Sequence, residues 1–424
     1  MLAHEPELLN QLKKCVRCGQ CRSVCPVFAV LGKESAAPRG KVFLTEMLHK
    51  EKLPLSEEMA GQLTACLLCE ACSQECPSGI PVHRYVSIAR SHLAKKGYYK
   101  FKRQLFGKLW PRTRFLSLAG ELLKAYQHLG IRSLARGLGL TRLLPGSLGQ
   151  AEAVLTTVPR QRARQLLPTV TPAQGEKRGR VYYFLGCATD MLFPHIAQAT
   201  VKALSQQGFD VVISPELNCC GMPQLGNGAR DTAVSLAARV LEQIETAGAQ
   251  WVVSDCASCG AALKEYPQLL AGTELAATAR TWAERTREVT AFLAEQGLRE
   301  ITASSTLPLT VTIHDPCHLA RGLKQKAALR LFLQQLPGVE VREMAQADRC
   351  CGGAGTFFAT NYQLSQTILA EKVANIRQSG AQVVVTPCPG CILQISHGLR
   401  QQGLPVLVKH PVELLTSLSP RDYK

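Results

Sequence analysis

The sequence predicts an α+β multidomain protein: an α-helical, cysteine-rich module, a basic helical connector and two repeated α/β domains. Three observations carry this. The 18 cysteines of the 424 residues fall into two blocks, eight at positions 15–76 and ten at positions 187–391. Between the blocks, residues 95–180 hold 18 Lys and Arg against three acids (Glu121, Glu152, Glu176), which places +15 of the formal net charge of +17 in that stretch. The second block repeats itself. Cys187 and Cys317 are 130 residues apart, the pairs that begin at Cys219 and Cys350 are 131 apart, and Cys256 and Cys388 are 132 apart, as internal duplication requires. The expected divisions are 1–94, 95–178, 179–305 and 306–424.

Composition narrows the class. With 46% apolar and 19% charged residues the chain can bury real cores and is not disordered. No apolar run reaches the ~18 residues of a membrane span. The first residues carry Glu5, Glu7, Lys13 and Lys14 where an export signal would be apolar. Eighteen cysteines without such a signal point to metal or redox chemistry rather than a disulfide scaffold, and to a cytoplasmic protein.

In the first module Cys15-x2-Cys18-x2-Cys21-x3-Cys25-Pro26 recurs as Cys66-x2-Cys69-x2-Cys72-x3-Cys76-Pro77. This is the run that holds 4Fe–4S clusters in two-cluster ferredoxins, where the fourth cysteine of each run ligates the other cluster. Cys15, Cys18, Cys21 and Cys76 are thus expected to hold one cluster, and Cys66, Cys69, Cys72 and Cys25 the second. Structural zinc, the alternative, usually takes two Cys-x-x-Cys hooks across a longer loop. Pro38-Arg39-Gly40-Lys41 followed by residues 42–48 reads as a helix between the runs, so the module is expected to be helical.

Each half of the repeat reads alike. An apolar strand (181–185; 309–313) runs into a single cysteine, a helix follows, and a second strand (210–213; 339–342) runs into Cys-Cys-Gly. After another helix a third strand (251–253; 382–385) ends in Cys-x-x-Cys. Alternating strands and helices favour a parallel sheet in each half, with all these thiols beyond the carboxyl ends of strands. Helix N-termini there would favour thiolates. Gly221 and Gly352 would let the backbone approach a bulky group. The candidate sets are Cys187, Cys219, Cys220, Cys256 and Cys259, and Cys317, Cys350, Cys351, Cys388 and Cys391. A thioredoxin-like pair or buried inert cysteines would not explain the recurring Cys-Cys-Gly.

The motifs Gly186-Cys187, Asn218-Cys219-Cys220-Gly221, Asp255-Cys256-Ala257-Ser258-Cys259-Gly260, His314-Asp315-Pro316-Cys317-His318 and Cys350-Cys351-Gly352-Gly353 resemble the cysteine-rich CCG domains. Such domains occur in glycolate oxidase iron–sulfur subunits, lactate-utilisation proteins, one of the subunits of anaerobic glycerol-3-phosphate dehydrogenase, and heterodisulfide reductase. The first module, including Pro38-Arg39-Gly40, most resembles the glycolate oxidase subunits, and the resemblance spans most of the chain; the connector matches loosely. It implies an electron-transfer subunit of a glycolate- or lactate-oxidising dehydrogenase, with an FAD-binding partner subunit and a quinone or other carrier as acceptor. Glycolate oxidase subunits often keep one cysteine where this chain has the pairs Cys256/Cys259 and Cys388/Cys391. Full five-cysteine sets hold non-cubane 4Fe–4S clusters in heterodisulfide reductase catalytic subunits. The resemblance thus implies one or two further clusters, and leaves open whether they relay electrons or cleave a disulfide.

Other features are weaker. Gly226-x-Gly228-x-x-Asp231 and Gly353-x-Gly355-x-x-Phe358 fall short of a dinucleotide fingerprint, and no Gly-Lys-Ser/Thr loop occurs, so no flavin or nucleotide is expected in this chain. No catalytic residue is assigned. His314 and His318 flank Cys317 and could bond cluster sulfur, act as acid or base near a disulfide, or simply cap or fill the core. Asp255 and Asp315 read as loop or cap residues. In the connector, apolar residues 101, 105, 106 and 109 lie on one helical face among cations. That helix would dock an acidic partner subunit or lie on the inner face of the cell membrane; without a recognisable binding fold, nucleic acid is not expected.

Overall fold

The computed structural model describes residues 6–140, 148–299 and 309–416. Residues 6–95 form an all-helical module built on Pro38–His49, Glu57–Thr64 and the long helix Val82–Lys95. Proline opens the first of these, and the Ser56 side chain accepts the Met59 N–H to cap the second. Leu8, Val42, Leu63, Tyr85, Val86 and Leu93 close its core, with the Tyr85 hydroxyl donating to the Leu8 carbonyl at 2.5 Å.

The two repeats are parallel α/β units of the same topology. In the first, β1 (Val170–Thr171), β2 (Gly179–Tyr183), β3 (Phe209–Val212), β4 (Trp251–Ser254) and β5 (Thr286–Glu288) lie in the order β1-β3-β2-β4-β5, with only β1 antiparallel. In the second, β6 (Leu309–Ile313), β7 (Val339–Val341), β8 (Val383–Val385) and β9 (Leu407–Lys409) lie in the order β7-β6-β8-β9, all parallel. Three strands per half follow the sequence expectation to within about two residues. The fourth strands β5 and β9 and the edge strand β1 were not foreseen, because β1 has two residues and β5 and β9 each carry a cation among three, so none gives an apolar run.

One apolar core runs through both repeats, containing Val181, Val252 and Phe292 of the first and Val311, Val384 and Ile395 of the second. The halves meet at the ends of β4 and β8, where the Ala257 N–H donates to the Pro387 carbonyl at 3.0 Å and His410 Nε2 lies 2.8 Å from the Asp255 carbonyl.

The connector wraps the first repeat. Helices Thr113–His128 and Ile131–Gly137 lead to Glu152, which receives Arg132 at 2.7 Å and Arg136 at 2.8 Å, and onward to Val154 and Ala163 in the main core. Residues 100–109 are helical, but Leu105–Leu109 is a π-turn, which rotates the expected apolar face apart. Phe106 is buried, with its carbonyl accepting from Gln224 at 3.3 Å, whereas Phe101 is 70% exposed. This segment is thus partly an internal joint with the first repeat.

Candidate metal centre

In the helical module two loops carry the eight cysteines. Both wind the same way. The residue before the second cysteine (Arg17, φ 54°; Leu68, φ 53°) and the one after it (Gly19, φ 88°; Glu70, φ 62°) are left-handed. Three of these four are not glycine, a costly backbone retained where a loop must curl around something. The curl gathers thiols in two groups. Cys21 neighbours Cys15, Cys18 and Cys76, and Cys72 neighbours Cys66, Cys69 and Cys25 and, more weakly, Cys21 of the other group. Burial pushes the Cys21, Cys25 and Cys72 thiols up, so metal binding would be what ionises them. Each group offers four sulfurs to one centre, the donor set a 4Fe–4S cluster needs.

The ten cysteines of the repeats form one continuous array. In the first repeat neighbouring thiols touch in the order Cys187, Cys219, Cys220, Cys259, Cys256. In the second the order is Cys388, Cys391, Cys351, Cys350, Cys317, and Cys256 meets Cys388 across the joint between halves. The duplication thus places equivalent cysteines symmetrically about the Cys256–Cys388 contact. Donation by the neighbouring thiol draws Cys220, Cys351 and Cys388 well below the usual thiol range and Cys317 down to about 7. Their neighbours Cys219, Cys259, Cys350 and Cys391 are pushed up.

Local structure explains the placement. Cys187 opens helix Cys187–Leu192, while Cys256 and Cys388 precede the first residues of helices Ala257–Leu269 and Pro389–Gln401. The two Cys-Cys-Gly glycines are left-handed, Gly221 at φ 87° and Gly352 at φ 83°. A Cβ on Gly352 would sit 2.6 Å from the Ser365 carbonyl oxygen, and one on Gly221 3.2 Å from Ala233 Cβ. These glycines therefore permit close packing against a following helix.

Nine of the ten thiols line a single cavity of about 180 Å³. His314 reaches it as well, with one ring nitrogen within 4.8 Å of the Cys351 and Cys391 sulfurs and both nitrogens buried. A buried imidazole facing two thiols, in a cavity lined by nine, fits a metal-containing group. His318 acts at one remove. Its Nδ1 lies 2.9 Å from Ser258 Oγ, which lies 3.6 Å from Cys388 Sγ, while its Nε2 lies 3.9 Å from Glu70. Asp255 and Asp315 lie in loops, as expected, and neither caps a helix. Asp315 pairs with Arg330 at 3.0 Å, and the buried Asp255 carboxyl is pushed up to about 7 by desolvation.

The two cysteine blocks meet. Cys25 and Cys69 pack with Cys317, Cys350, Leu67 and Phe357 in one apolar cluster, and Cys69 and Cys317 are electrostatic neighbours. Buried cations stand beside the sulfurs: Lys41 near Cys25, Arg90 near Cys66 and Lys372 near Cys350 and Cys351. Sequence reading missed Ser258, Arg90 and Lys372. Only Arg90 had a signal, a lone cation on the apolar face that carries Tyr85, Val86, Ala89 and Leu93.

Family comparisons agree with this construction. The chain matches a 4Fe-4S dicluster domain over residues 11–80, the linker region of the glycolate oxidase iron-sulfur subunit over 100–155 and a cysteine-rich domain over 181–264 and 311–396. It is 27% identical to a subunit of the fumarate reductase (CoM/CoB) of Methanothermobacter marburgensis over 415 residues, covering 96% of this chain and 72% of that one. It is 27% identical to the glycolate oxidase iron-sulfur subunit of Escherichia coli, covering 95% and 93%. It is 32% identical to the probable glycolate oxidase iron-sulfur subunit of Bacillus subtilis over 420 residues, covering 97% and 94%. With the thiol sets, the linker and both repeats matched in order, the chain belongs to the family of glycolate oxidase iron–sulfur subunits.

Proposed function

We propose that this chain is the iron–sulfur electron-transfer subunit of a flavin-linked 2-hydroxyacid dehydrogenase. A partner subunit binds FAD and oxidises glycolate or lactate, and the electrons pass through this chain to a quinone or another carrier. Its working units are 1–94, 95–178, 179–305 and 306–424. Cys15, Cys18, Cys21 and Cys76 hold one 4Fe–4S cluster; Cys66, Cys69, Cys72 and Cys25 hold the second. Each five-thiol set of the repeats holds a further cluster, and the chain works at the inner face of the cell membrane. When bound, such clusters take up and release single electrons.

The observation that carries this reading is the continuity of the sulfurs, from the eight cysteines of the helical module through Cys69 and Cys317 to the ten of the repeats. The chain's own residues keep that path dry and fixed: Leu67, Phe357 and Ile368 pack around its junction, and Lys41, Arg90 and Lys372 set positive charge against it. A second reading, a thiol–disulfide reductase, draws on the shared cavity and on the His318–Ser258 contact beside Cys388.

Anaerobic iron and sulfide analysis with EPR comes first. Iron of about sixteen per chain is expected if all four sites fill, and about eight would remove the clusters from the repeats. Co-isolation with a flavoprotein and cluster reduction driven by glycolate or lactate are expected on the first reading. Disulfide turnover without any flavoprotein would replace it with the second.

A further inference from the structure

We propose that the helical connector carries a lipid-binding face, with which the chain lies on an anionic bilayer. This deepens the membrane location given above and rests on that reading only for its purpose, since the face itself is defined by side chains. On helix Thr113–His128 and the residue that ends it, Leu118, Leu122 and Leu129 fall within about 40° of one another around the axis. On helix Ile131–Gly137 and its end, Leu134 and Leu138 are one turn apart. These five leucines are 60–74% exposed, whereas Leu116 is buried beneath the first helix. Exposed leucines repeating at helical spacing on two successive helices are not the scattered apolar residues of an ordinary surface.

The surrounding charge selects the occupant. Residues 108–136 hold Lys108, Arg112, Arg114, Lys124, Arg132 and Arg136 against one acid, Glu121. Glu152 offsets part of this by pairing with Arg132 and Arg136, and Glu121 pairs with Lys124 at 2.6 Å, yet cations remain in excess. An aliphatic face on a segment with an excess of Lys and Arg suits the boundary between acyl chains and anionic headgroups. A protein partner of the same area would be expected to engage aromatic anchors, among which leucine is under-represented. No helix among the described residues is long and apolar enough to cross a membrane, so this contact lies in the interface plane.

The test uses the full chain, purified anaerobically with its iron, and vesicles of phosphatidylcholine with or without phosphatidylglycerol. Co-sedimentation is expected with phosphatidylglycerol vesicles, falling as salt is raised and absent with phosphatidylcholine alone. Leu118→Ser with Leu122→Ser, and separately Leu134→Ser with Leu138→Ser, should each lower partitioning about tenfold or more with far-UV circular dichroism unchanged. No wild-type binding, equal binding to both vesicle types, or variants that bind like wild type would each overturn the proposal. So would loss of flavoprotein co-isolation in these variants with vesicle binding intact, which would make the face a subunit interface. Substrate-driven cluster reduction in solution, measured in parallel, fails only if the electron-transfer reading is wrong.

Discussion

Arg90 lies fully inside the molecule, on the apolar face of helix Val82–Lys95, where a guanidinium is costly to desolvate. Four carbonyls compensate: Leu63, Thr64 and Cys66 at 2.7–3.0 Å in the helical module and Gly226 at 2.9 Å in the first repeat. The sequence shows Arg90 only as a lone cation on an apolar helical face; the carbonyls that it joins, Gly226 among them, depend on packing that no periodicity contains. Arg90→Met should cost on the order of 3 kcal/mol in anaerobic denaturant titration, because it strands these acceptors. Arg90→Lys, with fewer donors and no fork, should fall between. Glu288 makes a pH-dependent case. Its Oε2 accepts the Thr290 N–H at 2.9 Å and the Ala291 N–H at 3.3 Å, yet burial pushes the carboxyl up to about 8. A raised carboxyl favours the folded state fully below its ordinary pKa near 4.5, and that contribution is lost as pH rises through about 8. Glu288→Gln keeps the accepting oxygen without titrating, so its stability relative to wild type should be greater at pH 9 than at pH 5, by ~1–3 kcal/mol in thermal unfolding. An unchanged difference across that range would show that Glu288 does not titrate as argued.

Elements were legible where periodicity ran for several residues. Strands at 181–185, 309–313 and 251–253 stand out because apolar β-branched and aromatic residues precede a cysteine, whereas β5 and β9 carry a cation in three residues and give no such pattern. The segment 98–110 reads as one amphipathic helix, and the π-turn at Leu105–Leu109 separates Phe101 from Phe106 in a way no periodicity rule contains. Between elements, Gly228 stands in the sequence only as part of a weak glycine pattern. Its φ is 77°, and a Cβ there would meet the Arg90 carbonyl oxygen at 2.6 Å and Ala94 Cβ at 3.1 Å. The glycine therefore lets the loop after helix Met222–Gly226 sit directly on helix Val82–Lys95. Gly228→Ala should destabilise by about 2–4 kcal/mol, from the left-handed backbone and the forced separation together. Because that separation also breaks the Arg90–Gly226 bond, Gly228→Ala combined with Arg90→Met should cost measurably less than the two losses added. Simple additivity would mean that the two residues hold separate joints.

At the scale of the whole molecule, cysteine spacing was enough to read the helical module, the duplication and the residues around the cavity, because thiol ligands recur at short fixed intervals. It could not show that Cys69 meets Cys317 or that Cys256 meets Cys388, since those contacts depend on how modules pack. The same architecture predicts unequal dependence on iron. Among the described residues the main core of the helical module is small, 14 buried apolar residues, and its cysteine loops contain the left-handed Arg17, Leu68 and Glu70. Besides the bonds of Arg39 and Arg90 to their carbonyls, bound metal would be the main restraint on such loops, so metal affinity there is folding energy. The repeats instead share one core through two sheets, which includes six of the cavity's thiols but extends far beyond them along both sheets. Anaerobic removal of iron with a chelator should therefore raise amide hydrogen exchange across the loops at 13–25 and 64–76, and helix Glu57–Thr64 between them, at least about tenfold. Strands β2, β4, β6 and β8 should keep most of their protection. Helix Val82–Lys95 should respond less than Glu57–Thr64, because Arg90 and Gly228 tie it to the first repeat. Equal loss of protection in the module and the four strands would show that iron stabilises the molecule as one cooperative unit.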